Sequence, residues 1–188
     1  MAITVRRVRA AEWPLVRQLR LEALRDESAG IAFAETSAQE SLETDQFWQE
    51  RAATAARGDD AAQFVAIDDA AWWGTATVLA QKAGSHDRHG RTVRNGRAVL
   101  VGVYVHPERR GTGLIGLLLE AAERWSHRRG FHELTLEVHR DNTRAQRAYR
   151  SGGFLPSGAT FTGPAGPQLE MVLTLRHPMS MTGPPERD

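Results

Sequence analysis

Hydrophobic positions fall in two rhythms along this chain: alternation by two, which marks strands, and spacing by three or four, which marks helices. Ile3, Val5 and Val8 predict a short first strand. Ala11-Glu12-Trp13-Pro14 opens a helix, with proline in the first turn, where its missing N–H costs nothing. Val16, Leu19 and Ala23 then share one face. From Ser28 to Ala56 the pattern loosens, and Ser41 or Thr44 caps a helix carrying Phe47, Trp48 and Arg51. Residues 63–68 and 73–79 read as two strands around a turn at Asp68-Asp69-Ala70. The polar, glycine-bearing run 81–96 has no periodicity and reads as a mobile loop.

The stretch from Val99 to Glu120 organises the rest. A valine-rich strand is stopped by Pro107, which has no N–H for a ladder. Arg109, Arg110, Gly111, Thr112 and Gly113 follow, and a helix begins at Leu114 with Leu118, Ala121 and Trp125 on its inner stripe. Strand, glycine turn and helix bring free N–H groups and a positive dipole end to one point, which suits a phosphate. An ordinary turn is the plain alternative. The run is neither a P-loop, lacking Gly-Lys-Ser/Thr, nor a dinucleotide fingerprint. His132 to Val138 forms the next strand, joined to the first by a right-handed crossover. Asp141 or Asn142 caps a helix in which Ala145, Ala148 and Tyr149 share a side, ended by Gly152-Gly153-Phe154. Residues 157–167 read as a loop or short hairpin, Leu169 to Leu175 as a last strand, and 176–188 as a disordered tail after a single domain spanning 1–175.

Composition narrows the field. With 24 Lys+Arg against 23 Asp+Glu in 188 residues, the chain has no bulk attraction for nucleic acid or anionic membrane. It has no cysteine, which excludes disulfides, thiolate zinc and a cysteine nucleophile, and fits a reducing cytoplasm. The first residues lack the apolar core of a signal peptide, and no apolar run approaches the roughly 20 residues that cross a bilayer. His86 and His89 lack further ligands at a recognisable spacing, so no metal is expected. Arg88, Arg91, Arg94 and Arg97 form a basic cluster, either a solvated loop or a steering surface for an anionic acceptor.

Val-Tyr-Val-His-Pro-Glu-Arg-Arg-Gly-Thr-Gly-Leu, residues 103–114, resembles the acyl-CoA-binding motif of the GCN5-related N-acetyltransferases, the GNAT superfamily. Ile115 stands where the family has a small residue, with Gly116 next. A second match runs from Leu136-Glu137-Val138 through Asn142, Ala145 and Tyr149 to Gly153-Phe154. The resemblance implies an α/β fold: a mixed sheet flanked by helices on both faces and splayed between the fourth and fifth strands. It also implies acetyl-CoA as acyl donor, with coenzyme A as product. Val103, Tyr104 and Val105 would pair with the pantetheine amides, and an N–H near Val105 would stabilise an oxyanion. The N–H groups of Arg110, Gly111, Thr112, Gly113, Leu114 and Ile115 would hold the pyrophosphate, aided by the Arg109 and Arg110 side chains. Asn142 and Ala145 would add cofactor contacts, and Arg144 and Arg147 either meet the adenosine 3′-phosphate or stay solvated.

For the chemistry, the resemblance makes Tyr149 the general acid and Glu137 the candidate base, with Tyr104, His106 and His139 as other candidates. A lone histidine such as His139 otherwise reads as a surface residue. Phe33, Glu35 and Trp48 would face the acceptor; packing for the aromatics and solvation for Glu35 are the plain alternatives. The implied reaction is direct transfer of acetyl to a primary amine of a small molecule, protein or peptide, in a monomer or homodimer. The competing reading is a non-catalytic acyl-CoA-binding regulatory module of the same fold.

Overall fold

The computed structural model describes residues 3–33, 35–69, 71–163 and 165–175; the tail 176–188, for which disorder was expected, lies outside them, as does Ala70 of the first predicted turn. Seven strands form one sheet: β1 (Thr4–Arg7), β2 (Ala61–Asp68), β3 (Ala71–Gln81), β4 (Arg97–Val105), β5 (Glu133–His139), β6 (Leu155–Gly163) and β7 (Gly166–Thr174). Their order is β1-β2-β3-β4-β5-β7-β6. Every neighbouring pair is antiparallel except β4 and β5, which run parallel as the crossover requires.

Helices cover both faces. They are α1 (Trp13–Ala23), α2 (Ala29–Ala32), α3 (Ser37–Ser41), α4 (Asp45–Arg57), α5 (Leu114–Arg128) and α6 (Thr143–Ser151). The apolar stripe of α5, with Leu114, Leu118, Leu119, Ala122 and Trp125, packs on alternate residues of four strands, among them Phe64, Val78, Leu100 and Leu136. On the opposite face Val16 and Trp48 close over Val65. Trp48 is fully buried, so its packing role holds and it does not face an acceptor. Thr44, not Ser41, caps α4, accepting from the Phe47 N–H. No helix among the described residues is long and apolar enough to cross a membrane.

Two segments differ from the sequence reading. The run at 157–167, expected as a loop or short hairpin, belongs to a longer hairpin: the nine-residue strand β6 begins before it at Leu155 and pairs with β7 at the sheet edge. Its residues are largely exposed, so no alternation of polarity announces it. The expected mobile loop at 81–96 is also a folded unit. The Val93 N–H donates to Ser85 O at 2.8 Å, and the Gly84 N–H donates back to Val93 O at 2.8 Å. The cause is Asp87, described below.

The sheet opens in the middle. β4 and β5 pair only at Ala98/Leu134, Val99/Thr135 and Leu100/Leu136. Beyond that point β4 stays with β3 and β5 stays with β7, so the two part. A bulge sets the divergence: Thr75 faces Tyr104 but Thr77 faces Val101, one residue too many on β4. Gly102, at φ 59°, takes the left-handed conformation that the bulge demands.

Gly74 seats the start of α5 on this region. A Cβ there would lie 2.8 Å from the Tyr104 carbonyl oxygen and 2.9 Å from Leu114 Cδ2. Gly74→Ala should therefore lose about 1–3 kcal/mol of stability by overpacking, read from urea denaturation. A variant as stable as the parent would show that α5 is not held there.

Candidate active site

The turn between β4 and α5 presents a row of unused donors. Gly111 and Gly113 have φ of 75° and 85°, which fold the chain tightly ahead of Leu114. An added Cβ at either would meet nothing within 4 Å, so the main chain borders open space. The N–H groups of residues 111–115 have no hydrogen-bond partner among the described residues. Five free donors and the positive end of a helix dipole thus share one short turn, an arrangement suited to an anion. Thr112 contributes only backbone here, since its hydroxyl donates to Arg109 O at 2.7 Å.

The two arginines of the turn are engaged elsewhere. Arg109 stacks on Trp73 at 4.4 Å and pairs with Asp68 at 3.2 Å. Arg110 pairs with Asp26 and donates from Nε to Val105 O at 3.0 Å. Neither is a loose surface charge; both brace the turn.

A cleft of about 1060 Å³ runs from this turn along the gap between β4 and β5. The His106 N–H reaches Trp73 O on β3 at 2.9 Å. Backbone alternation then turns the polar groups of Val103 and Val105 toward the gap and those of Tyr104 toward β3. Of the three residues expected to pair with a ligand strand, Tyr104 therefore drops out. Its hydroxyl donates to Glu22 at 3.0 Å, and burial followed by that bond pushes its pKa up. Ile115 and Ala145 line the cleft beside Leu114.

Across the gap, Asn142 caps α6 by accepting from the Ala145 N–H at 3.1 Å, and Asp141 does not serve as the cap. Tyr149 lies one turn further on, lining the cleft with its ring 6.0 Å from Phe154. Burial drives its pKa well above the ordinary phenol value, so it keeps its proton. His139 is buried in the same wall, contrary to its reading as a surface residue. Its Nε2 would lie 2.8 Å from a Cβ at position 166, which reserves that place for glycine. Arg144 lines the cleft and donates to Ser28 Oγ at 3.1 Å.

The other end of the cleft is lined by Phe33, Glu35, Leu79, Val99 and Val101. Arg20 lies over Phe33 at 4.6 Å and joins Glu35 at 3.0 Å to Glu40 at 2.7 Å. Glu35 is thus paired rather than merely solvated. Opposite stands Glu137, whose Oε1 is 2.7 Å from His89 Nε2. Its Oε2 is closed to solvent without a hydrogen-bond partner among the described residues, with Arg88 Nη1 at 3.7 Å.

The sequence matches the acetyltransferase (GNAT) family over residues 18–154. This chain is a member of that family. Solved structures agree on the fold. A GNAT-family acetyltransferase from Streptococcus pneumoniae superposes at TM-score 0.70 with 19% identity, covering 93% of this chain and 100% of its own. A GNAT phosphinothricin acetyltransferase from Sinorhizobium meliloti, in complex with AcCoA, gives TM-score 0.70 at 20% identity, covering 98% and 95%. Arabidopsis thaliana NAA60, in complex with a bisubstrate analogue, gives 0.66 at 14% identity, covering 93% and 100%. None of the curated proteins compared by sequence gives a significant match.

Within this GNAT chain, the residues that sequence reading missed are His89, Arg20, Glu40 and the cleft-lining pair Leu79 and Val101. Each reaches the cleft through a partner distant in sequence. His89 depends on the segment 82–96 folding around Asp87, whose carboxylate accepts from the His89 and Arg91 N–H groups at 2.9 Å each. Arg91 Nε adds a bond at 2.8 Å and Arg97 one at 3.3 Å. Arg97 also reaches Glu170 at 3.2 Å, so Arg91 and Arg97 are structural rather than free to steer an acceptor. Burial raises the Asp87 pKa, but the Arg91 N–H, its guanidinium and the His89 N–H outweigh this and bring it from 3.8 to about 2.

A depressed carboxylate stabilises fully above its unfolded value and loses that contribution as pH falls through its folded one. Amide protection in segment 84–93 should therefore hold at pH 4 and collapse as the pH drops through about 2. Asp87→Asn should show weak protection there even at neutral pH. Hydrogen exchange reads both, and a variant protected like the parent would remove Asp87 as the organiser.

Proposed function

We propose that this chain is an acetyl-CoA-dependent N-acetyltransferase that moves acetyl directly to a primary amine of a small molecule or peptide. The observation carrying this reading is the row of unpartnered N–H groups at 111–115, which opens onto the cleft holding Tyr149 and the unpaired edge of β4. The donor fits these residues chemically. Its diphosphate is an anion for the N–H row, and its pantetheine amides match the backbone groups of Val103 and the N–H of Val105 as an added strand would, the Val105 carbonyl being held by Arg110. Asp68 and Asp26 occupy the guanidinium groups of Arg109 and Arg110, so the main chain supplies the phosphate donors.

The remaining roles follow from place and protonation. The Val105 N–H turns into the gap, where it can stabilise a developing oxyanion. Tyr149 holds its proton at every physiological pH and can pass it to a departing thiolate. Asn142 fixes the first turn of α6 and so the position of Tyr149. Glu137 provides negative charge on the far wall, toward which an ammonium acceptor is drawn.

The test is calorimetry with coenzyme A, followed by thiol release from acetyl-CoA with phosphinothricin, spermidine, paromomycin and tetra-alanine as trial acceptors. Tyr149→Phe should lower kcat by about 10²-fold or more while coenzyme A affinity stays within about twofold. Undiminished turnover would remove the tyrosine as acid. Coenzyme A binding without thiol release under any acceptor would favour the regulatory module instead.

Gly113→Val should weaken coenzyme A about tenfold or more. It forces φ away from 85° and displaces at least one hydrogen bond to a charged group, worth about 1.5–3 kcal/mol. Unchanged affinity in the same calorimetric titration would place the diphosphate elsewhere.

A further inference from the structure

We propose that His89 takes the proton from the acceptor amine and that Glu137 acts through it as a positioning residue. This rests on the acetyltransferase reading above. The carboxylate at the end of the cleft is already engaged. Glu137 Oε1 accepts from His89 Nε2–H at 2.7 Å, and Oε2 is sealed from solvent. A general base has to approach its proton to about 2.6–3.2 Å, directly or through one water. Among the described residues, Glu137 meets that condition for the imidazole, at 2.7 Å.

His89 has the complementary arrangement. Because a carboxylate only accepts, Nε2 carries the ring proton, and neutral imidazole then has its lone pair on Nδ1. Nδ1 has no hydrogen-bond partner among the described residues. The ring is fixed in two ways, by Glu137 and by stacking on Phe161 of β6 at 4.3 Å and 15°, while the His89 main-chain N–H is anchored to Asp87 Oδ1. His89 lines the same cleft as Tyr149. The surrounding charges are Arg88 and Asp87 on its own loop, Arg91 over the Phe161 ring at 4.2 Å, Arg97 on β4 and Glu170 on β7. Asp87, Arg91, Arg97 and Glu170 pair among themselves, which leaves Glu137 and Arg88 next to the imidazole.

The step balances. The acceptor ammonium gives one proton to Nδ1, and the freed lone pair forms the C–N bond to the thioester carbonyl carbon. The C–S bond breaks, sulfur takes the Tyr149 proton, and the second amine proton restores the phenol. His89 returns its proton to solvent. In this scheme Glu137 takes no proton and holds the tautomer.

Two variants separate the roles. His89→Gln keeps an N–H for Glu137 but has no lone pair that takes a proton near neutrality. Glu137→Gln keeps a carbonyl oxygen for His89 Nε2–H. The kcat/KM for acetyl-CoA-dependent thiol release is followed from about pH 5.5 to 9 with whichever of the four trial amines the parent acetylates fastest. Coenzyme A calorimetry serves as the folding control, and His89→Asn replaces a His89→Gln that fails it. The expected result is loss of the acidic limb with about a 10²-fold or larger fall in His89→Gln, and a retained limb with a fall of about tenfold in Glu137→Gln. An acidic limb surviving in His89→Gln, or vanishing in Glu137→Gln, overturns the assignment. A parent protein that does not bind coenzyme A overturns the transferase reading and this one with it.

Discussion

Everything at this site depends on two parallel strands that pair for three residues and then separate. Backbone N–H and C=O groups stripped of partners are costly when buried, so a gap in a sheet does not persist unless something holds it open. Here each strand is fastened on its other side along its length, β4 to β3 and β5 to β7. The bulge at Gly102 bends β4 away, and Arg110 ties the Val105 carbonyl to the turn and to Asp26. The opened edge keeps its donors for a ligand because the rest of the sheet has no need of them.

The same economy governs the arginines. A guanidinium beside a phosphate-binding turn invites the reading of a phosphate ligand. Arg109 on Trp73 and Asp68, and Arg110 on Asp26, do something prior: they fix the backbone that carries the free N–H groups. Preorganised main-chain donors lose no side-chain entropy on binding, so bracing them serves affinity as directly as a salt bridge would. At the other end Arg20 gives both its Nε and Nη2 to one oxygen of Glu40, at 3.0 and 2.7 Å. The second oxygen of Glu40 is left with only Arg51 at 3.9 Å. Such imperfect pairing of buried charge is a poor way to gain stability and a good way to fix a wall.

What the sequence made legible was local. The strand, glycine turn and helix at 99–128, and the Asn142 cap ahead of Tyr149, are written in consecutive residues, so periodicity and cap chemistry reveal them. The side toward which Tyr104 turns its backbone was not legible, because it depends on a bulge that only the pairing with β3 defines. β6 escaped because an exposed edge strand with glycine and proline needs no apolar alternation. His89 escaped because its partner Glu137 lies 48 residues away, within a strand whose face is known only once the sheet is assembled.

The two ends of the cleft are therefore built by different physics. The donor end follows from backbone geometry over a few residues, and little but glycine satisfies it. The acceptor end is assembled by ion pairs and hydrogen bonds between distant segments, with Asp87 acting as a small polar core for a loop whose one buried apolar residue is Val93. A loop organised by a carboxylate rather than by burial can exchange its presented residues while Asp87, Arg91 and Arg97 remain. Changes at positions such as Arg88 and His89 can then redirect the acceptor chemistry without disturbing the N–H row at 111–115. The two ends are separable because the strained glycine turn and the Asp87-centred loop share none of these hydrogen bonds.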